Sequence, residues 1–301
     1  MSNYEVVCGG ADRVAWLKAR MDGVGSSDAA SVLGLNPWAS PMAVYVDKHG
    51  MGEQDEGHTE PTYWGKAIEP LVLRRFSEEH PKREVKSAQQ LLRNIERPWQ
   101  MCTLDGMQRN SSDTEANWGL LEIKATGLGW RWVDGLPPYV DAQIQHQFAV
   151  TGFEWGSLAV LFNGKFWDYK HKDVFPDAER IKVITGIEWD FWRNTERGNP
   201  PDADGTDSCT DAIKLIYPEA AKGSVVTLAD SFIEKHNERV QVMDELKSLE
   251  ESKVRLDNEI RMAMGDNETA HLGMSPITYT NKTQTRGGTS FRVLRVKGGA
   301  K

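Results

Sequence analysis

Glu122 and Lys124 stand two residues apart in GLLEIKATG (119–127), a segment otherwise apolar enough to be a buried strand. Side chains alternate along a strand, so this carboxylate and ammonium share one face while Leu121, Ile123 and Ala125 share the other. Charges in a half-buried strand need compensation. Asp105, in MCTLDG (101–106), lies one strand earlier. A meander would set its carboxyl and that of Glu122 at neighbouring strand ends, about 4.8 Å between strands. Two carboxylates that close repel each other. A shared hard cation such as magnesium would relieve the repulsion, polarise a phosphodiester and turn a bound water into a hydroxide-like nucleophile. Lys124 would then orient that water, help remove its proton, or steady the charge on phosphorus. Alone, Glu-x-Lys on a strand is more often a solvated ion pair on a sheet face. The chain repeats the spacing at Glu84-Val85-Lys86. That copy lacks an Asp-Gly one strand upstream and reads as a salt pair on the first strand.

The elements that must position these groups follow from periodicity and punctuation. GSSDAASVLG and SPMAVYVDKHG read as short helices, the second with Ser40 as N-cap, Pro41 at the first helical position and Gly50 after the end. WGKAIEPLVLRRFSEEH carries a helical stripe of Ile68, Leu71, Val72 and Phe76, with Pro70 expected near the first turn and Glu69 at the entrance. REVKSAQQLL, RPWQMCTLDG and WGLLEIKATG then read as an antiparallel meander. PPYVDAQIQHQFAVTG predicts a helix crossing that sheet, with Val140, Ile144 and Phe148 at four-residue steps and Gly152 as its stop. A hairpin turning at Asn163-Gly164 and an amphipathic helix from Asp177 to Arg197 close the core. GNPPDADGTDS is Pro/Gly/Asp-rich and marks a boundary. The expected division is a core over 1–200, a linker over 201–224, and an extension over 225–301. The extension is expected to hold one long helix, or two with a tight joint, from Thr227 to Met264, with nearly heptad spacing, and a hairpin around Arg286-Gly287-Gly288.

At 301 residues with 39% hydrophobic content the chain can build a substantial core. It offers no apolar run of about 18 residues and no charged-then-apolar start, so the expected setting is the cytoplasm, without membrane. Cys8, Cys102 and Cys209 show no CxxC spacing and read as unpaired thiols. A formal charge of -8 argues against indiscriminate nucleic-acid binding but leaves room for a local basic surface. After Glu268 there is no acidic residue, while Lys282, Arg286, Arg292, Arg295, Lys297 and Lys301 follow. Nothing in the glycine or serine patterns points to a phosphate-cradling loop or a nucleophile elbow.

Six motifs in order, WLKAR, GSSDAASVLGLNPWASP, WGKAIEP, TLDG, LEIKA and AQIQHQFAVTG, carry a resemblance over about residues 14–195. Together they resemble the YqaJ-type viral recombinase family, relatives of the lambda exonuclease among the PD-(D/E)XK nucleases. The resemblance implies an α/β (α+β) restriction-endonuclease-like core, a central mixed sheet flanked by helices. It implies that Asp105, Glu122 and the main-chain carbonyl of Ile123 ligate magnesium, with manganese as a substitute, and that Lys124 is the catalytic lysine. Glu69 resembles the helical carboxylate that approaches the metal; without the resemblance it is an ordinary first-turn Glu. Arg20 and Ser27 match positions that grip a terminal 5′-phosphate, Ser27 reading equally as a helix cap. Gln143 and Gln145 match the helix behind the active site, Gln143 being the one expected to face it. His146, one turn from Gln143, could contact DNA, although a satisfied histidine at the core edge is commoner. Trp38 is read as packing rather than stacking on a base.

The implied activity is a magnesium-dependent 5′-to-3′ exonuclease on linear double-stranded DNA, leaving 3′ single strands for recombination by annealing. A homotrimer and a single-strand annealing protein are the implied partners. Two alternatives keep the same sequence features: an endonuclease on the same fold, or a DNA-binding scaffold with an idle nuclease core. The extension reads as a DNA-grasping arm, as a dock for the annealing protein, or as a hairpin packed on its own core.

Overall fold

The computed structural model describes residues 3–9, 12–52, 60–112, 117–163 and 167–298. Lys301 and most of the expected Asn163-Gly164 turn fall outside them. The chain divides into two compact units, Met1–Ala220 and Ala221–Lys301.

The first unit begins with β1 (Tyr4–Gly9), α1 (Arg13–Ala19), α2 (Ser26–Val32), α3 (Pro41–Lys48) and α4 (Glu60–Glu79). Ser40 caps α3, its hydroxyl accepting from Ala43 N at 3.1 Å, and Pro41 sits in the first turn as expected. The cap of α2 is Gly25, whose N–H donates to Asp28; Ser27 lies inside the first turn. Pro70 is inside α4, not near its start, because the helix runs back to Glu60. It therefore has no N–H to return to the carbonyl four residues before it.

β2 (Arg83–Ser87), β3 (Gln90–Asn94), β4 (Met101–Thr103), β5 (Gly106–Asn110) and β6 (Gly119–Thr126) follow. The expected meander is corrected here. REVKSAQQLL and RPWQMCTLDG each contribute strands to two different sheets: β1-β3-β4 form one, and β2-β5-β6 open another. Asp105-Gly106 is the bend by which the chain leaves β4 in the small sheet and enters β5 in the large one. α5 (Pro138–Thr151), β7 (Gly156–Asn163), β8 (Trp167–Val174), α6 (Ala178–Glu196) and α7 (Asp207–Ile216) complete the unit.

The large sheet has the order β2-β5-β6-β7-β8, and β6 pairs parallel with β7 while its other neighbours pair antiparallel. It is the mixed central sheet expected from the sequence, with helices on both faces. On one face Leu120, Leu158 and Val160 pack with Val140, Ile144 and Phe148 of α5, which also covers Leu92 and Cys102 of the small sheet. On the other, Leu121, Ile123 and Ala159 meet Val72 and Phe76 of α4. Gly152 ends α5 in the left-handed conformation, φ 69°. The stretch expected as a linker contains α7, capped by Thr206, with Cys209 and Ala212 buried beside Val44 and Tyr45 of α3. Its composition reads as loop, yet one apolar stripe suffices for a docked helix.

The second unit holds α8 (Ser231–Met264) and a sheet of β9 (Thr269–His271), β10 (Thr278–Arg286) and β11 (Thr289–Lys297), ordered β11-β10-β9. Among the described residues no helix is long and apolar enough to cross a membrane.

Candidate active site

The register of β5 and β6 pairs Gly106 with Leu121 and Met107 with Leu120. Extended by one residue, it sets Asp105 directly opposite Glu122, on the same side of the sheet. The pairing there is unusual. Ile123 N donates at 2.7 Å to the Asp105 carboxylate, which takes the place of a strand carbonyl where β5 has not yet begun.

Glu122 is 1% exposed, so its charge cannot be left to water. Three groups compensate it. Lys124 Nζ lies 2.6 Å from Oε1, Gln143 Nε2 donates to Oε1 at 2.7 Å, and Gln147 Nε2 donates to Oε2 at 2.7 Å. Lys124 also donates to Gln143 Oε1 at 2.8 Å, which fixes the orientation of that amide. Burial and the Glu122 charge opposite raise the Asp105 carboxyl well above the ordinary carboxylate range, the nearby Lys124 offsetting part of this. Burial alone would lower Lys124, but the charges of Glu122 and Asp105 outweigh it and hold the ammonium above its ordinary value. Lys124 is thus held as a cation between two acids. Glu69 of α4 is bonded by Gln89 at 2.9 Å; burial, then the Glu122 charge, raises it, so it shares the same field.

These observations unite Asp105, Glu122, Lys124 and Gln143, with the Ile123 backbone between them and Glu69 beside them. They also add Gln147, which sequence reasoning missed. Its signal was visible: Gln143 and Gln147 are four residues apart and share a helix face. The set fits a hard divalent cation. Its donors are all oxygen, and a divalent ion would relieve the opposition of the two buried acids. Among the described residues no group of three His, Cys, Asp or Glu is arranged to hold a metal, so a further oxygen must come from main chain or water.

The remaining candidates separate from this cluster. Gln145 is buried and braces the entrance to α6, donating to Phe175 O at 3.1 Å and accepting from Asp177 N at 2.8 Å. His146 is fully buried, Nδ1 at 2.6 Å from Glu188 and Nε2 at 2.8 Å from Met101 O. Both are enclosed by the chain's own groups: His146 is the satisfied histidine rather than the DNA contact, and Gln145, expected among the DNA-binding residues, serves the packing of α6 instead. At about 100° per residue, Gln145 lies about 200° around the helix from Gln143, on the far side; His146 lies only about 60° away, but both its ring nitrogens are occupied by Glu188 and Met101 O. Arg20 holds Asp28 at 3.3 Å and Asp47 at 3.4 Å. Buried Lys48 holds the other Asp28 oxygen at 2.6 Å. Burial would raise Asp28, but Lys48 and Arg20 together bring it below its ordinary value. The Arg20 fork therefore lies against the first turn of α2, next to exposed Ser27. Trp38 is 56% exposed and stands edge-on to Tyr139, at 5.3 Å between centroids.

The fold and site define an α/β protein with an acid–acid–lysine cluster at the middle of a mixed sheet, backed by glutamines of a crossing helix. Residues 15–154 match the YqaJ-like viral recombinase domain. The chain is 28% identical over 267 residues to the uncharacterized protein YqaJ of Bacillus subtilis (strain 168), an alignment covering 87% of this chain and 81% of that one. The resemblance read from the six motifs is borne out. Among solved structures, an alkaline exonuclease (LHK-Exo) from Laribacter hongkongensis aligns with a TM-score of 0.49 at 20% identity, over 61% of this chain and 92% of the other. The same enzyme in complex with dAMP aligns with a TM-score of 0.49 at 21% identity, over the same shares.

Proposed function

We propose that this chain is a DNA exonuclease, a magnesium-dependent phosphodiester hydrolase that degrades linear duplex DNA from 5′ ends and leaves 3′ single strands for recombination by annealing. The observation that carries the reading is the opposition of Asp105 and Glu122 across β5 and β6, with the Lys124 amine 2.6 Å from Glu122. Asp105, Glu122 and the carbonyl of Ile123 would hold the metal. When bound, it would polarise the scissile phosphate and lower the pKa of a water.

The chain's own groups supply the rest. Lys124, kept cationic by its two acids, steadies charge developing on the phosphoryl oxygens and orients the attacking water. Gln143 and Gln147 hold both oxygens of Glu122 so that its carboxylate keeps one orientation. Glu69, with its raised affinity for a proton, takes or returns a proton through water at the same place. Arg20 and Ser27 would receive a terminal 5′-phosphate, whose two charges compete with Asp28 and Asp47 for the guanidinium fork. Manganese would substitute for magnesium, and a homotrimer is the assembly the family resemblance favours.

Digestion of 5′-phosphorylated against 5′-hydroxyl linear duplex, with a closed circular control, tests the reading. Wild type should degrade linear duplex only when magnesium is present and prefer phosphorylated ends. Arg20→Ala should lose that preference, and Lys124→Ala should be inactive on both ends. Cleavage of the circle would favour an endonuclease. Degradation undiminished in Lys124→Ala would overturn the assignment of the site.

A further inference from the structure

The cations that close the sequence gather on the β10–β11 ribbon. The register pairs Thr280 with Arg295, Lys282 with Val293, Gln284 with Phe291, Arg286 with Thr289, and Thr278 with Lys297. Paired residues project to the same side, so Lys282, Arg286, Arg295 and Lys297 share one face. All four are exposed. None forms an ion pair among the described residues, and the face contains no carboxylate.

The opposite face is engaged within the same unit. Asn281 is 2% exposed, and Arg292 donates to Gly265 O and Asn267 O at 2.7 Å each. Arg292 therefore ties the ribbon to the end of α8, while the other four cations are left outward.

Their ligand follows from spacing and charge. Alternate residues on an antiparallel strand are about 6.8 Å apart. Duplex phosphates advance about 3.4 Å per nucleotide along each strand, so Arg295 and Lys297, two residues apart, can meet phosphates two nucleotides apart, and Lys282 and Arg286, four residues apart, phosphates four nucleotides apart. A two-stranded ribbon also has the width that the major groove admits. The threonine hydroxyls and Gln284 amide between the cations are further donors for phosphate oxygens. A lipid surface would call for several apolar side chains to insert, and among the exposed residues of this face Phe291 is the large apolar one.

We propose that this face of the β10–β11 ribbon binds duplex DNA through its phosphates, without reading sequence. It is a binding site additional to the nuclease reading and does not depend on it.

Binding of the full-length protein to closed circular duplex with divalent ions chelated tests the site without ends and without cleavage. Replacing Lys282, Arg286, Arg295 and Lys297 together by Gln should weaken binding at least tenfold at about 0.15 M salt. It should also flatten the log–log salt slope by about three to four. Removing the same number of exposed cations from the same unit, with Lys222, Lys235, Arg239 and Lys247 changed to Gln, should change both quantities much less. Single Lys282→Gln and Arg286→Gln variants should each flatten the slope by about one, which secures the test if the quadruple variant folds poorly. Equal losses in the two quadruple variants, or wild-type binding by the ribbon variant, would overturn the proposal. So would ribbon-dependent binding to phosphatidylserine vesicles with DNA binding unchanged. Magnesium-dependent degradation of linear duplex by wild type decides the nuclease reading separately.

Discussion

Glu84-Val85-Lys86 and Glu122-Ile123-Lys124 have the same charge pattern in the same five-stranded sheet, yet they sit in opposite electrostatic situations. On edge strand β2, Glu84 stands opposite Arg109 and pairs with it at 2.6 Å, while Lys86 lies 3.9 Å from the centroid of the Trp118 ring. Every charge has a complementary neighbour, and Glu84 is exposed. On central strand β6, Glu122 stands opposite another acid, is buried, and depends on a lysine and two glutamines. The first arrangement is satisfied as it stands; the second leaves a shortage of positive charge at one place. Spacing does not separate a structural pair from a chemical one, but the residue opposite does.

That contrast can be broken most directly with Lys124→Ala beside Lys86→Ala. The first should reduce magnesium-dependent degradation of linear duplex by ~10³-fold or more, the second by less than about twofold. Asp105→Asn should be equally inactive. Because it removes one of two opposed buried charges while keeping an acceptor for Ile123 N, it should also raise unfolding stability in chelator by about 1 kcal/mol.

A second buried ion pair of the first unit, His146–Glu188, sharpens the comparison from the side of stability. His146→Ala leaves Glu188 buried and uncompensated and should cost about 3–5 kcal/mol in denaturant unfolding. Burial alone would lower the His146 pKa, but the Glu188 carboxylate raises it above the ordinary 6.5. Its contribution is therefore fully present below about pH 6.5 and fades as pH rises through the higher folded value. Wild type should lose stability relative to His146→Asn over that interval, measured by thermal melts across pH.

Smaller effects should follow from Gln147→Ala, which frees one oxygen of Glu122: about 10–100-fold in metal affinity or activity, read by titrating magnesium against rate. The smallest belongs to the edge pair. Glu84→Gln should shift stability by less than about 1 kcal/mol and leave degradation unchanged, as expected of an exposed cross-strand pair.

Much of the site was legible because it is local. Strand alternation already places Glu122 and Lys124 together and Ile123 away from them, and the four-residue steps of Val140, Ile144 and Phe148 already place α5 over a sheet. For His146 the satisfied-histidine reading describes the structure, while Gln145, expected among the DNA-binding residues, turns away from Gln143 to brace α6. Gln147 was missed although it repeats Gln143 one turn later. The expected meander failed because Asp105-Gly106 was taken as a hairpin turn; a bend between two sheets uses the same residues. The helix inside the expected linker was hidden by its neighbours Pro200, Pro201 and Gly205, and only its contact with α3 stabilises it.

By itself the sequence determined the face each side chain takes on its own strand or helix and the gathering of basic residues at the end of the chain, since these depend on residues a few positions apart. The tertiary structure alone decided that Glu122 is enclosed with Gln143 and Gln147 whereas Glu84 stands exposed opposite Arg109, and that His146 is sealed inside. Coulomb energy is set by distance through space and by exclusion of water, and neither is written in the separation of residues along the chain.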